Sequence, residues 1–183
     1  MNYMRKILLL SLAVLTAVMV SAKKYQHSFG LAGGSGIGVQ YKLMITPNLT
    51  FMDEFGYLGC YAAAAKGGSA GYMGAVNQAV FGYQSRLAEV KGIQLDWYAG
   101  GQFKAGYVHK LLSTPIDMDI VGGIIGLGAA GGVEANFKNA PFALSFDFRP
   151  GYGCLLSKGW GGGKVTATHV FDWCFNLGVR YTL

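Results

Sequence analysis

Gly126-Leu127-Gly128-Ala129-Ala130-Gly131 matches the G-x-G-x-x-G of a dinucleotide-binding turn. That chemistry needs a strand ending at the glycines and a helix whose N-terminal amides meet the pyrophosphate. Here the glycines sit inside a period-two stretch with no helical pattern after it. We read them as space on an inner strand face for long side chains from neighbouring strands. Gly161-Gly162-Gly163-Lys164 has the outline of a phosphate loop, but Val165 stands where Ser or Thr should follow the lysine. A mobile loop is the expectation there. Asn48-Leu49-Thr50 fits the glycosylation sequon, yet it falls at a tight turn read below as periplasmic and is discounted.

His27, His109 and His169 are the histidines of the chain. A hydrolase built on His169 would need a nucleophilic serine beside it and a carboxylate to orient the ring. Ser35 or Ser157 could approach, but no acid is placed on that face, so an interfacial imidazole is expected. Cys60, Cys154 and Cys174 are odd in number, which prevents a complete set of internal disulfides. No two of them have metal-ligand spacing. They read as individually packed thiols, since free cysteine behaves as a small hydrophobe. No catalytic, cofactor or metal site is expected.

The elements that carry these residues follow from composition. The 183 residues are 52% hydrophobic, 14% aromatic and only 13% charged, with 29 glycines. Disordered chains are polar and highly charged, so that class is excluded. Each glycine costs ~1 kcal/mol inside a helix, which argues against a helical bundle. No apolar run of the ~18 residues needed for a helical span follows the first 22. What is left is a membrane β-barrel.

Arg5 and Lys6 precede a 14-residue apolar stretch, Ile7 to Val20, broken by Ser11 and Thr16. Val20-Ser21-Ala22 supplies small residues at a cleavage site, completing a secretory signal over 1–22. A membrane-anchoring helix is the rival reading, but the stretch is short for a ~30 Å hydrocarbon core. The mature barrel domain is then 23–183. Removing Arg5 and Lys6 lowers the formal charge from +6 to +4, spread without a basic cluster, so no nucleic-acid partner is expected.

From Ala167 to Leu183 the odd positions read His169, Phe171, Trp173, Phe175, Leu177, Val179, Tyr181 and Leu183. The even positions are mostly polar or small. This is a strand pattern, longer than a globular strand. Eight such segments are predicted, at about 25–33, 36–45, 49–61, 78–89, 93–108, 119–137, 142–156 and 166–183. Asp53, Ser85 and Glu89 fall on apolar faces, where a bulge or a strand end is expected. Tight turns at 46–48, 91–92 and 138–141 alternate with longer links at 62–77, 109–118 and 157–165; the link near 34–35 is short. Short turns on one side and longer loops on the other are the layout of an eight-stranded antiparallel up-and-down transmembrane β-barrel, with both termini periplasmic.

A soluble eight-stranded barrel would bury its apolar face around a ligand. Here the apolar face carries bulky aromatics, while the opposite face collects Lys42, Glu54, Arg86, Asp96, Lys104, Glu134, Asp147, Arg149, Asp172 and Arg180. Ten charges fit the lumen of a membrane barrel, where five acids and five bases can neutralise one another. The predicted result is a closed lumen held by ion pairs, one of them Arg149 with Asp172. Phe51, Tyr57, Tyr61, Phe81, Tyr107, Tyr152, Phe171 and Tyr181 suit two interfacial girdles.

The last eight residues, Asn176 to Leu183, resemble the C-terminal β-signal of outer-membrane proteins: polar Asn176, Gly178 two later, Tyr181 third from last, and Leu183 where a Phe is commoner. The mature chain is similar to the small OmpX/OmpA-type outer-membrane β-barrel family. The resemblance implies insertion by the barrel-assembly machinery, contact with outer-membrane lipid and a monomer. Members differ in what they do. The leading reading is a non-enzymatic barrel with surface loops available for contacts by an unidentified partner. Its alternatives are a narrow solute channel and a lipid-A-modifying enzyme.

Overall fold

The computed structural model describes residues 26–64, 69–113, 118–159 and 164–183. The segment 1–22, expected to be a secretory signal, lies outside them. Eight strands follow in chain order: β1 (His27–Gly34), β2 (Gly36–Met44), β3 (Leu49–Ala64), β4 (Ser69–Val90), β5 (Ile93–Ser113), β6 (Met118–Phe137), β7 (Phe142–Gly159) and β8 (Thr166–Thr182). Each pairs antiparallel with the next, and β1 pairs with β8, closing the ring. Closure removes the sheet edge that would leave backbone groups unpaired in lipid. Gln26, the first described residue, and Leu183 meet at the end of the tight turns, where the Gln26 N–H donates to the Leu183 carbonyl at 3.0 Å.

The alternation sets the faces. Phe171, Phe175, Leu177, Val179 and Tyr181 are exposed on the outside, while Asp172, Cys174, Asn176, Gly178 and Arg180 are buried inside. The barrel is inverted relative to a soluble protein.

Two expectations are corrected. The link expected over 62–77 is mostly strand: β3 runs on to Ala64 and β4 begins at Ser69. Similarly β5 reaches Ser113, shortening the link expected at 109–118. The Ala- and Gly-rich stretch around 62–76 has low strand propensity. From 69 onward its extended form comes from pairing with β3, in a ladder that ends at Ala63 opposite Ser69.

The ring is not uniform. β1 and β2 have only 8 and 9 residues, against 22, 21 and 20 in β4, β5 and β6. Above the short β1–β2 hairpin, β3 pairs directly with β8 from Tyr61 opposite Trp173 to Ala64 opposite Val170. The barrel therefore has eight strands at the turn end and six at the other. Ser35, at the hairpin tip, is the wedge where the two meet. Its carbonyl accepts from the Gly59 N–H at 2.8 Å and its N–H donates to the Phe175 carbonyl at 2.9 Å. The preceding Gly34 has φ of 131°, and a Cβ there would lie 2.5 Å from the Phe175 carbonyl oxygen, so only glycine fits the tip.

Candidate functional site

Strand alternation aims nine of the ten predicted charges into the lumen: Lys42, Glu54, Asp96, Lys104, Glu134, Asp147, Arg149, Asp172 and Arg180 are all buried. They assemble in tiers. Nearest the turns, Lys42 Nζ meets Glu134 Oε2 at 2.5 Å, and Arg180 pairs with the same carboxylate. Arg180 also donates to Gln40 Oε1 at 2.7 Å and to Ser145 Oγ at 3.0 Å. Gln40 in turn donates to Glu54 Oε2 at 2.7 Å, linking this tier to the next.

In the middle tier Arg149 pairs with Glu54 at 2.9 Å and with Asp147 at 2.7 Å, and donates to Gln78 at 2.7 Å. The Tyr98 hydroxyl completes Asp147 at 2.8 Å. Asp96 belongs to the tier nearest the turns: it stands opposite Glu134 and accepts from the amides of Gln84, Gln94 and Asn136 at 2.8–3.1 Å. In the upper tier Lys104 pairs with Asp172, which also accepts from the Tyr72 hydroxyl at 2.8 Å. An apolar cluster that includes Leu58, Val76, Ile124 and Val170, with Cys60 and Cys174, packs around it, and Cys174 Sγ accepts from Gln78 at 3.5 Å on the side of the middle tier. Buried charges cost several kcal/mol each unless paired and hydrogen-bonded, and the amides and tyrosines supply those bonds.

Arg86 is a correction. Arg86 still stands opposite inward Asp96, but it is the last residue before a register shift that makes Leu87 an extra residue at the strand end. The Arg86 side chain is 59% exposed at the rim, 3.4 Å from Glu89 and 3.0 Å from Gln94. The buried set is thus five acids and four bases. Glu89, which also pairs with Lys138, has its carboxyl held below the ordinary range, first by that hydrogen bond.

The Arg149–Asp172 pair is a second correction. Arg149 stands opposite Cys174, and Asp172 opposite Gly151. One pleat separates them, and each takes a partner from across the lumen instead. Gly151 makes that possible for Asp172: a Cβ there would lie 2.8 Å from Lys104 Nζ and 2.9 Å from Asp172 Oδ1. Gly126, within the dinucleotide-like motif, leaves the same kind of room, with Lys104 Cε 3.2 Å from its would-be Cβ. The motif is strand throughout. Gly161–Gly163 fall outside the described residues.

The residues missed by the sequence reading are the neutral linkers Gln40, Gln78, Gln84, Tyr72, Tyr98 and Asn136. Their only signal was an inward position in an alternating strand; Tyr72 lay in the stretch read as a loop. In the C-terminal segment, Asn176 is buried and donates to Asp147 at 3.4 Å, Gly178 lies beneath Arg180, and Tyr181 and Leu183 face out.

His169 is exposed and stacks on Tyr152, with ring centroids 5.9 Å apart; Ser35 Oγ is engaged by the Phe175 N–H at 2.9 Å. His109 meets the Tyr57 hydroxyl at 3.0 Å. Among the described residues no group of three His, Cys, Asp or Glu side chains could hold a metal. No disulfide joins Cys60, Cys154 or Cys174 in this structure.

No family model and no curated protein matches the chain. Among solved structures it is similar to a major outer membrane protein from Thermus thermophilus. The TM-score is 0.51 at 12% identity, over 88% of this chain and 100% of that one. Two structures of Ail, the attachment invasion locus protein of Yersinia pestis, also match. They have TM-scores of 0.34 and 0.31 at 11% and 14% identity, each over 85% of this chain and 94% and 93% of theirs. The first of these is a complex with the heparin analogue sucrose octasulfate. The chain has the fold of a small outer-membrane β-barrel.

Proposed function

We propose that this chain is a non-enzymatic integral protein of the bacterial outer membrane, with its lumen closed to solutes and its six-stranded end presented for contacts. The observation that carries this is the inversion of the barrel wall. Outward Phe55, Leu127, Phe146 and Leu177 are exposed, while Glu54, Lys104, Arg149 and Arg180 are fully buried. Water would penalise the first set, and lipid alone accommodates it. In this reading residues 1–22 are removed after Ala22, both termini lie in the periplasm, and Asn176, Gly178, Tyr181 and Leu183 guide insertion by the barrel-assembly machinery. The protein acts as a monomer in outer-membrane lipid.

A channel needs a continuous wet path. Here three polar tiers and an apolar cluster fill the interior, which opposes that reading. A lipid-modifying enzyme needs a nucleophile, base and orienting acid on one face, and His169 has Tyr152 as its neighbour instead.

The test is fractionation followed by reconstitution. The protein is expected in the outer-membrane fraction, with an intact mass that begins at Lys23 and no stable conductance in a planar bilayer. A large, stable single-channel conductance would promote the channel. A mass that retains Met1 to Ala22 would restore the anchor.

A further inference from the structure

Cys60 on β3 and Cys174 on β8 come from strands far apart in the chain, and the narrowing of the ring brings them together. The β3–β8 ladder runs from Ala64 opposite Val170 to Tyr61 opposite Trp173 and ends there; continuing its register by one residue sets Cys60 level with Cys174. One residue further, Gly59 and Phe175 are already bonded to the Ser35 wedge. The two cysteines therefore occupy the single level between the hairpin tip and the six-stranded seam. Both are buried and belong to the same apolar cluster.

We propose that Cys60 and Cys174 are oxidised to a disulfide that staples β3 to β8 at the point where the barrel narrows. Directly opposed Cβ atoms lie ~4.5–5.5 Å apart in an antiparallel pair, and a disulfide needs ~3.5–4.5 Å, so a small closing movement suffices. The third cysteine does not compete. Cys154 stands opposite His169, on the outward-facing rows of β7 and β8, so the wall separates it from the other two. It accounts for the odd count.

The oxidant is the disulfide of a periplasmic thiol–disulfide oxidoreductase, so the inference rests on the outer-membrane reading above. One cysteine thiolate attacks that disulfide, forming a mixed disulfide and expelling an enzyme thiolate. The second then attacks the chain's own sulfur in the mixed disulfide. The Cys60–Cys174 bond forms, and the enzyme leaves as a dithiol with the two electrons and two protons. Because both sulfurs are buried in the closed barrel, the first attack precedes closure, and the second follows as β3 and β8 come into register. Afterwards the bond is shielded from reductants.

The experiment uses the full chain, secreted in a Gram-negative host, with cells quenched in acid and denatured in an alkylating reagent before fractionation. Outer-membrane protein is expected to carry one alkyl group, on Cys154, and to yield a proteolytic peptide linking Cys60 to Cys174. Reductant during denaturant unfolding should lower the midpoint of the wild type and leave that of the Cys60→Ala/Cys174→Ala variant unchanged. Outer-membrane protein alkylated at all three cysteines, or a link involving Cys154, overturns the staple while the location stands. Absence from the outer-membrane fraction overturns the location, and the oxidant with it.

Discussion

Tyr61 and Trp173 stack across the β3–β8 seam, ring centroids 6.3 Å and planes 17° apart. They also form the rung of that ladder nearest the hairpin tip among the four from Tyr61 to Ala64. So few rungs hold the seam that side-chain contacts matter more there than in the long β4–β5 ladder. Tyr61→Ala and Trp173→Ala should each destabilise the barrel, with a coupling of about 0.5–1.5 kcal/mol in a double-mutant cycle. Unfolding in lipid vesicles measures it; strictly additive effects would mean that the rings contribute separately.

Lys104 and Asp172 form a fully buried pair. Removing one partner leaves a stranded charge, so Lys104→Met or Asp172→Leu alone should cost about 3–5 kcal/mol, and the double variant clearly less than the sum. Arg149 and Asp172 do not pair, so a cycle on them should be close to additive. A cycle on Arg149 and Asp147, 2.7 Å apart, should not be. Denaturant unfolding of all variants in one detergent separates these outcomes.

The two faces of the wall should respond oppositely to bulk. A Cβ on Gly33 meets nothing within 4 Å, whereas one on Gly178 would lie 2.6 Å from both Gln40 Oε1 and Ser145 Oγ. Gly33→Ala is expected to be neutral or mildly stabilising, and Gly178→Ala destabilising because it displaces the network around Arg180. Leu177→Arg, on the lipid face, should cost roughly 2–4 kcal/mol near the midplane. Refolding into vesicles without assembly machinery reads all three; indifference to Arg at position 177 would refute the lipid-facing assignment.

The Glu89–Lys138 pair joins the ends of β4 and β6 at the tight-turn rim. The Glu89 carboxyl is lowered by Lys138, so its stabilising contribution is present above the ordinary carboxylate pKa and is lost as pH falls through the lowered folded value. The stability difference between wild type and Glu89→Gln should therefore shrink on acidification and at high salt. A difference that grows on acidification would contradict the pairing.

Much of this architecture is written locally. In β8, each step from Val170 to Tyr181 swaps an inward residue for an outward one, because successive side chains of a strand point to opposite faces. That rule needs no knowledge of partners, so strand identity, the inverted wall and the lumen position of Asp172 or Arg180 were legible in the sequence. The fate of Arg86 was not, because it stands in the row of inward Asp96 but at the barrel rim, where the strand end leaves its side chain exposed. Neither was the strand character of the stretch at 69–77, whose small residues acquire it by pairing with β3 and β5. The identity of each ion pair was hidden for a different reason. The height at which one strand's inner row meets another's depends on the stagger accumulated around the closed ring. That stagger takes Arg149 to Glu54 and Lys104 to Asp172. It also takes β3 to β8 above a short hairpin, in a register that sets two cysteines 114 positions apart in the chain level with each other.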